Sequence, residues 1–384
     1  MEQARPLLVL LNEGTRGHSA QSRGICAALR RLSDAETLEL DIPSLKGLQK
    51  IKYLKLMAGR LPKVPKPLAE KWLTDAGGDY LHSRVSAALG GEKRPLLFIS
   101  AGSSAAPYCL ALAHVFGGKS CVIMVPSVLG VKPFDMAIVP KHDACTGDNV
   151  LVTLGAPNSI SADLLEEQKS ELLADYPPKR VDAWAILIGG DDQNYTIAPL
   201  WVNKVMPTLL DAAEGADADL YITTSRRTSA SAEEALARVC TGNPRVRMLL
   251  LASQDSRNPV PGMLGHCSKV FCTEDSVSMI SESVTAGAQV AVVTVGHRHG
   301  VKRLLQEMTE YGVDAKILPL SCLWGVPRFN RMIEDFENQG CLSVITPRNM
   351  LDDLTRFLER PKNCLMPFNE AERAAAWIVS RWLA

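Results

Sequence analysis

Lys269-Val-Phe-Cys-Thr-Glu-Asp-Ser-Val-Ser-Met-Ile-Ser-Glu282 decides the fold. Its first five residues read as a buried strand, 269–273. Ser276 then stands where a helix N-cap belongs, and a helix is expected over about 276–286. Strand, short polar turn and helix form the repeating unit of a parallel α/β sheet. The same alternation continues outward in both directions. Strands are expected at 184–188, 218–223, 247–252 and 289–294, with helices near 199–213, 231–240 and 300–311. In the first half, strands fall at 6–11, 36–41, 95–100, 120–125 and 135–139. Helices there fall near 17–31, 70–89, 104–115 and 161–174.

Two similar α/β units therefore follow one another. The polar, proline-containing link Asp175-Tyr-Pro-Pro-Lys-Arg-Val181 predicts the boundary, giving domains 1–176 and 177–362. A last segment, 363–384, carries the capping-box pattern Asn369-Glu-Ala-Glu372. Ala374, Trp377 and Ile378 follow at helical spacing, so this helix needs a surface that buries Trp377 and Trp382.

The chain has 384 residues, with 42 basic against 42 acidic, and is 46% hydrophobic. That length suits two domains, and the composition excludes disorder. Zero net charge argues against nucleic acid as a partner. No apolar run approaches a membrane span, and no signal peptide is recognisable, so a cytoplasmic protein is expected. The ten cysteines stand singly, without a C-x-x-C pair, which fits a reducing compartment and predicts no metal site.

Neutrality hides one asymmetry. Between Ser44 and Leu73, eight cations face Glu70 alone, a net +7. Apolar residues from Leu45 to Trp72 interleave with them. Such a basic amphipathic segment (44–73) is the form of a surface that lies on anionic membrane. A solvated helix face is the plainer alternative.

Ligands of open α/β sheets sit beyond the carboxyl ends of the strands. The first strand runs into Asn12-Glu-Gly-Thr-Arg-Gly-His18, where Gly14 and Gly17 permit close backbone approach. The spacing matches neither a dinucleotide fingerprint nor a P-loop. The fifth strand runs into Pro140-Lys-His-Asp143, where His142 and Asp143 offer acid–base chemistry. In the second half, Gly189 and Gly190 follow one strand, Ser225, Arg226 and Arg227 another, and Glu274 to Glu282 a third. The glycine amides and the two arginines suit phosphate oxygens. The helix start at Ser276, Ser278 and Met279 suits a second phosphate. Glu282, two helical turns from Glu274 and on roughly the same side, suits the vicinal hydroxyls of a ribose. The set predicts a nucleotide-diphosphate pocket.

These residues also carry a resemblance. Pro133-Phe-Asp135, Pro140-Lys-His-Asp143, Gly155-Ala-Pro-Asn158, Leu187-Ile-Gly-Gly190, Thr223-Thr-Ser-Arg-Arg-Thr228 and Thr273 to Glu282 occur in that order. The chain resembles the "elongated mitochondria" family of mitochondrial-fission proteins over roughly residues 5–345. The resemblance implies an α/β fold of two Rossmann-like domains facing a cleft, the GT-B glycosyltransferase architecture. The nucleotide-sugar would lie in the second domain, the acceptor side in the first, and the last helix would return to the first domain. It also implies a metal-independent reaction without a cofactor, the sugar nucleotide being the donor substrate.

Three functions stay open on this basis. The first is a glycosyltransferase acting on a lipid-linked or envelope glycan acceptor at the inner face of a membrane. Arg226, Arg227 and the amides of Gly189, Gly190 and Ser276 would neutralise the diphosphate, Glu282 would hold the ribose, and Asp143, His142 or Glu13 would act on the acceptor. The second is a non-catalytic peripheral membrane adaptor. The third is a sugar-nucleotide 2-epimerase on the same fold.

Overall fold

The computed structural model describes residues 5–44, 54–192, 194–298, 301–319, 322, 328–360 and 368–383. The chain forms two compact units. One comprises residues 1–159, 309–328 and 369–384; the other comprises 160–308 and 329–368.

The first unit is built on six parallel strands: β1 (Leu7–Asn12), β2 (Glu36–Asp41), β3 (Leu96–Ala101), β4 (Lys119–Ile123), β5 (Met136–Pro140) and β6 (Val150–Thr153), in the order β2-β1-β3-β4-β5-β6. Every residue of β1 and β3 is buried, as a sheet covered on both faces requires. Leu7, Val9 and Leu11 point into one core, while Leu8 and Leu10 point into the other. The helices are α1 (Arg16–Ser33), α2 (Lys66–Asp75), α3 (Asp79–Leu89) and α4 (Ala106–Phe116). The single helix expected over 70–89 is two. Gly77 takes φ +73° and Gly78 donates its amide back to Leu73, which ends α2 before α3 begins.

The second unit starts with α5 (Ala162–Asp175). It continues through β7 (Asp182–Ile188), β8 (Tyr195–Thr196), α6 (Pro199–Gly215), β9 (Ala218–Thr224), α7 (Ala230–Cys240), β10 (Val246–Leu250), α8 (Val260–His266) and β11 (Lys269–Thr273). Then come α9 (Val277–Thr285), β12 (Gln289–Val293), β13 (Gly296–His297), α10 (Val301–Asp314), which belongs to the second unit only as far as Met308, α11 (Phe329–Asn338), β14 (Leu342–Ile345) and α12 (Met350–Glu359). Six of these strands form a second parallel sheet, β10-β9-β7-β11-β12-β14, and β8 pairs antiparallel with β13.

The division falls at 159/160 and not at 176/177. Helix α5 belongs to the second unit because it packs on α8, where Gly262 and Gly265 let the backbones of Gln168 and Leu165 approach. The expected elements omit β6 and β14. Both are four-residue edge strands, only partly buried, and lack the long apolar run that marks the central strands.

The last helix, α13 (Glu370–Trp382), packs on α1. Ala371, Ala374, Ala375, Ile378 and Trp382 join the core that holds Leu8 and Leu10. Trp382 donates its indole N–H to the Leu96 carbonyl at 3.1 Å. Glu370 accepts the Leu154 amide at 2.6 Å and is held by Arg373 at 2.7 Å. Among the described residues no helix is long and apolar enough to cross a membrane, and the nine described cysteines are free thiols.

Candidate functional site

The strand order reverses between β7 and β11 in the second sheet and between β1 and β3 in the first. These are the topological switch points where open α/β sheets leave a crevice.

In the second unit, Asp275 occupies that point. Its Oδ2 accepts the Gly190 amide at 2.8 Å and the Arg227 guanidinium at 2.9 Å. Its Oδ1 accepts the Thr273 hydroxyl at 2.6 Å, and Thr273 in turn accepts the Gly189 amide at 2.8 Å. The Asp191 amide donates to the Arg227 carbonyl at 2.9 Å, and Thr228 donates to the Gly189 carbonyl. Ser225 accepts the Arg227 amide at 3.1 Å. A side chain on Gly189 would collide with the Asp275 carboxylate, and one on Gly190 with the backbone of Arg227. The space these glycines make is filled by protein. Their amides, and the guanidinium of Arg227, are already engaged.

Three groups are left over. Arg226 is exposed and has no hydrogen bond or ion pair among the described residues. At the start of α9, Ser276 caps the Met279 amide at 3.5 Å, whereas no acceptor among the described residues takes the amides of Val277 and Ser278. Ser278 and Met279 are half-buried. One turn past Ser278, Glu282 meets no partner among the described residues, and burial pushes its carboxyl up to about 7.

Glu274 is engaged by the segment that follows β12. Its Oε1 accepts the Val295 amide at 2.7 Å and meets His297 Nε2 at 3.1 Å. Burial raises its carboxyl, with Val295 and His297 working against the rise. Tyr195 stands edge-on to the His297 ring at 5.2 Å. Asp191 pairs with Arg298 at 2.6 Å.

In the first unit, Glu13 fills the switch point as Asp275 does in the second. Its Oε2 accepts the Ser104 amide at 2.9 Å and its Oε1 meets His18 Nδ1 at 2.6 Å. Burial works to raise this carboxyl, but the bonds from His18 and Ser104 outweigh it and hold it below the usual range. Gly102, at φ +87°, leaves the room that the Glu13 carboxylate and His18 take. Gly14 has φ +84° and Gly17 faces open space.

At the end of β5, His142 and Asp143 lie in one helical turn, with His142 Nε2 at 3.9 Å from Asp143 Oδ1. Arg328, buried, donates to the His142 carbonyl. Burial pushes the Asp143 carboxyl up to about 6, with the Val125 amide and Arg328 opposing. Asp275, His297 and Arg328 are the residues that sequence reasoning missed. Only Asp275 left a signal, an acid directly before a helix N-cap.

Part of the basic segment, 45–53, lies outside the described residues. In the rest, Leu54, Ala58, Leu61, Ala69, Trp72 and Leu73 belong to the first unit's core, and Trp72 donates to the Leu54 carbonyl at 3.1 Å. Most described apolar positions therefore face inward. Arg60, Lys63, Lys66 and Lys71 are exposed, as are Leu56 and Leu68. No cluster of metal ligands occurs among the described residues.

A family model described as "Mitochondrial fission ELM1" matches residues 16–382. No curated protein matches the chain. Among solved structures, the chain is similar to UDP-GlcNAc 2-epimerase from Methanocaldococcus jannaschii, with TM-score 0.56 and 10% identity over 98% of this chain and 99% of that one. It is also similar to UDP-GlcNAc 2-epimerase from Neisseria meningitidis, solved with UDP-GlcNAc bound (TM-score 0.52, 12% identity, 98% and 99% covered). The kitacinnamycin glycosyltransferase is similar too (TM-score 0.50, 13% identity, 100% of both chains). At these identities the likeness is one of fold, the α/β architecture shared by GT-B glycosyltransferases and sugar-nucleotide epimerases.

Proposed function

This chain belongs to the Mitochondrial fission ELM1 family, and we propose that it is an enzyme that moves a sugar from a nucleotide-diphosphate sugar to a glycan or lipid-linked acceptor. One observation supports this most. At the second unit's switch point, Asp275 takes the Gly190 amide, the Thr273 hydroxyl and the Arg227 guanidinium, while Arg226 and the first-turn amides of α9 meet no acceptor among the described residues. An unpaired guanidinium and a helix N-terminus are what a diphosphate requires. Arg226 adjoins the residue whose guanidinium reaches Asp275, so both donors belong to one loop cluster. Glu282 lies one turn down the same helix, suited to a ribose. The Neisseria neighbour's UDP-GlcNAc agrees with the donor class.

In the transfer, Arg226 and the Val277 and Ser278 amides would stabilise the departing diphosphate. Asp143, whose carboxyl is pushed up to about 6, would take the proton of the acceptor hydroxyl. The exposed cations Arg60, Lys63, Lys66 and Lys71 would draw a membrane-associated acceptor.

The test is a thermal-shift screen against nucleotide diphosphates and nucleotide-sugars, followed by calorimetry on wild type and Arg226→Ala. Binding that Arg226→Ala abolishes is the expected result; unchanged affinity overturns the pocket. Failure of every nucleotide-sugar to bind would favour the adaptor function. An altered sugar nucleotide formed without acceptor would favour the epimerase.

A further inference from the structure

We infer that His297 is a further diphosphate contact of this site, and that Glu274 is its positioning residue and not a sugar ligand. The inference rests on the donor-site proposal above and adds a contact to it.

Strand β12 lies beside β11, so the turn that follows it neighbours the start of α9. Two residues past Val295, His297 is pinned in register: β13 pairs Gly296 with Thr196 and His297 with Tyr195. The Tyr195 ring stands at 88° to the imidazole. A buried carboxylate already accepting the Val295 amide can only accept from Nε2 as well, so that nitrogen carries a proton. This leaves Nδ1, which has no partner among the described residues, on a side chain 30% exposed. When Nδ1 is also protonated the ring presents a charged N–H.

The aspartates of the neighbouring strand-end loops are paired with arginines. Asp191 is paired with Arg298, and Asp275 with Arg227, which also approaches Asp192 at 3.6 Å. Glu274 is the acid whose charge falls on His297. An anion at Nδ1 would complete a relay of carboxylate, imidazolium and phosphate oxygen, with two charge-assisted hydrogen bonds.

The experiment compares wild type, His297→Gln and Glu274→Gln by calorimetry, with UDP and with inorganic pyrophosphate. Measurements are made at about pH 5.5 and about pH 8.5, either side of the ordinary imidazole range. The ligand's own titration cancels in each ratio of wild type to variant. Both variants should bind both probes roughly tenfold more weakly at the lower pH, with the difference gone at the higher pH. A ratio that is the same at both pH values, or a variant that binds like wild type, overturns the inference alone. A wild type that binds neither probe overturns the donor-site proposal with it. Should His297→Gln fail to fold, histidine NMR on the wild type decides. Pyrophosphate must raise the titration midpoint of His297, and an unmoved midpoint sinks the idea.

Discussion

Arg227 and Asp275 form a 2.9 Å ion pair in which the acid is wholly buried and the base is 42% exposed. The pair ties the loop after β9 to the residue before the N-cap of α9, so it sets where Arg226 and the free amides stand. Two consecutive arginines thus stand in unlike positions: one holds the loops together and the other has no partner among the described residues.

Replacing Arg227 by Ala strands the Asp275 carboxylate. Breaking a fully buried pair costs about 3–5 kcal/mol. The exposure of Arg227 reduces this to roughly 1–3 kcal/mol. Arg226→Ala should stay within about 0.5 kcal/mol of wild type. Urea unfolding measures both, and equal losses in the two variants would contradict this difference.

Gly190→Ala puts a methyl against the backbone of Arg227, which has no flexible end to yield. The expected loss is about 3 kcal/mol. Gly17→Ala meets nothing within 4 Å, and alanine suits α1 better than glycine, by up to ~1 kcal/mol. Thermal unfolding of the two variants should move in opposite directions.

Asp143 has its carboxyl raised to about 6 from 3.8, so the folded state disfavours its ionised form. Wild type therefore loses stability as pH rises from the unfolded value through about 6. Asp143→Asn escapes that loss and should be more stable above this range, by up to about 3 kcal/mol. The two proteins should converge near pH ~4. Melting temperatures across pH decide it, and a variant advantage that grows toward acid would refute the burial argument.

Glu282 follows the same sign, with its carboxyl pushed up to about 7 from 4.5 by burial. Glu282→Gln should melt higher than wild type in mildly alkaline buffer. It should bind UDP several-fold more weakly, roughly 1 kcal/mol for one hydrogen-bond acceptor, yet leave pyrophosphate affinity unchanged. Loss of both ligands together would remove Glu282 from the ribose.

The exposed cations make the membrane proposal measurable. Wild type should sediment with vesicles containing anionic phospholipid, and a variant with Arg60, Lys63, Lys66 and Lys71 changed to Ser should stay in solution. Each cation is worth about 1 kcal/mol near such a surface. Equal partitioning of the two proteins would leave the segment a solvated face.

The central strands were legible because burial on both faces writes an unbroken apolar run, as in Leu7 to Leu11. Edge strands such as β14, half-buried, write none. The loops at the strand ends were found, but their use was not. Gly189 and Gly190 look the same in sequence whether they admit a phosphate or an aspartate from 85 residues away. The partners of Glu274 left no trace either, because the amide and imidazole it meets lie 21 and 23 residues on, beyond any local pattern. Arg328 reaches the loop of Asp143 across 186 residues of chain, so its role appears only once the fold has formed. Trp72 interleaves with lysines like a membrane anchor, yet its indole is spoken for by Leu54.

Helix α13 has a consequence for how the protein comes off the ribosome. The first unit's core includes Ala374, Ala375 and Ile378, so it is not complete until this helix has been made. The second unit draws on residues 160–308 and 329–368, all synthesised earlier. Until α13 is made, the face of Leu8 and Leu10 has Ile25, Ala28 and Leu29 of α1 for cover but lacks Ala374, Ala375 and Ile378, so the unit that holds the earlier strands is completed after the other.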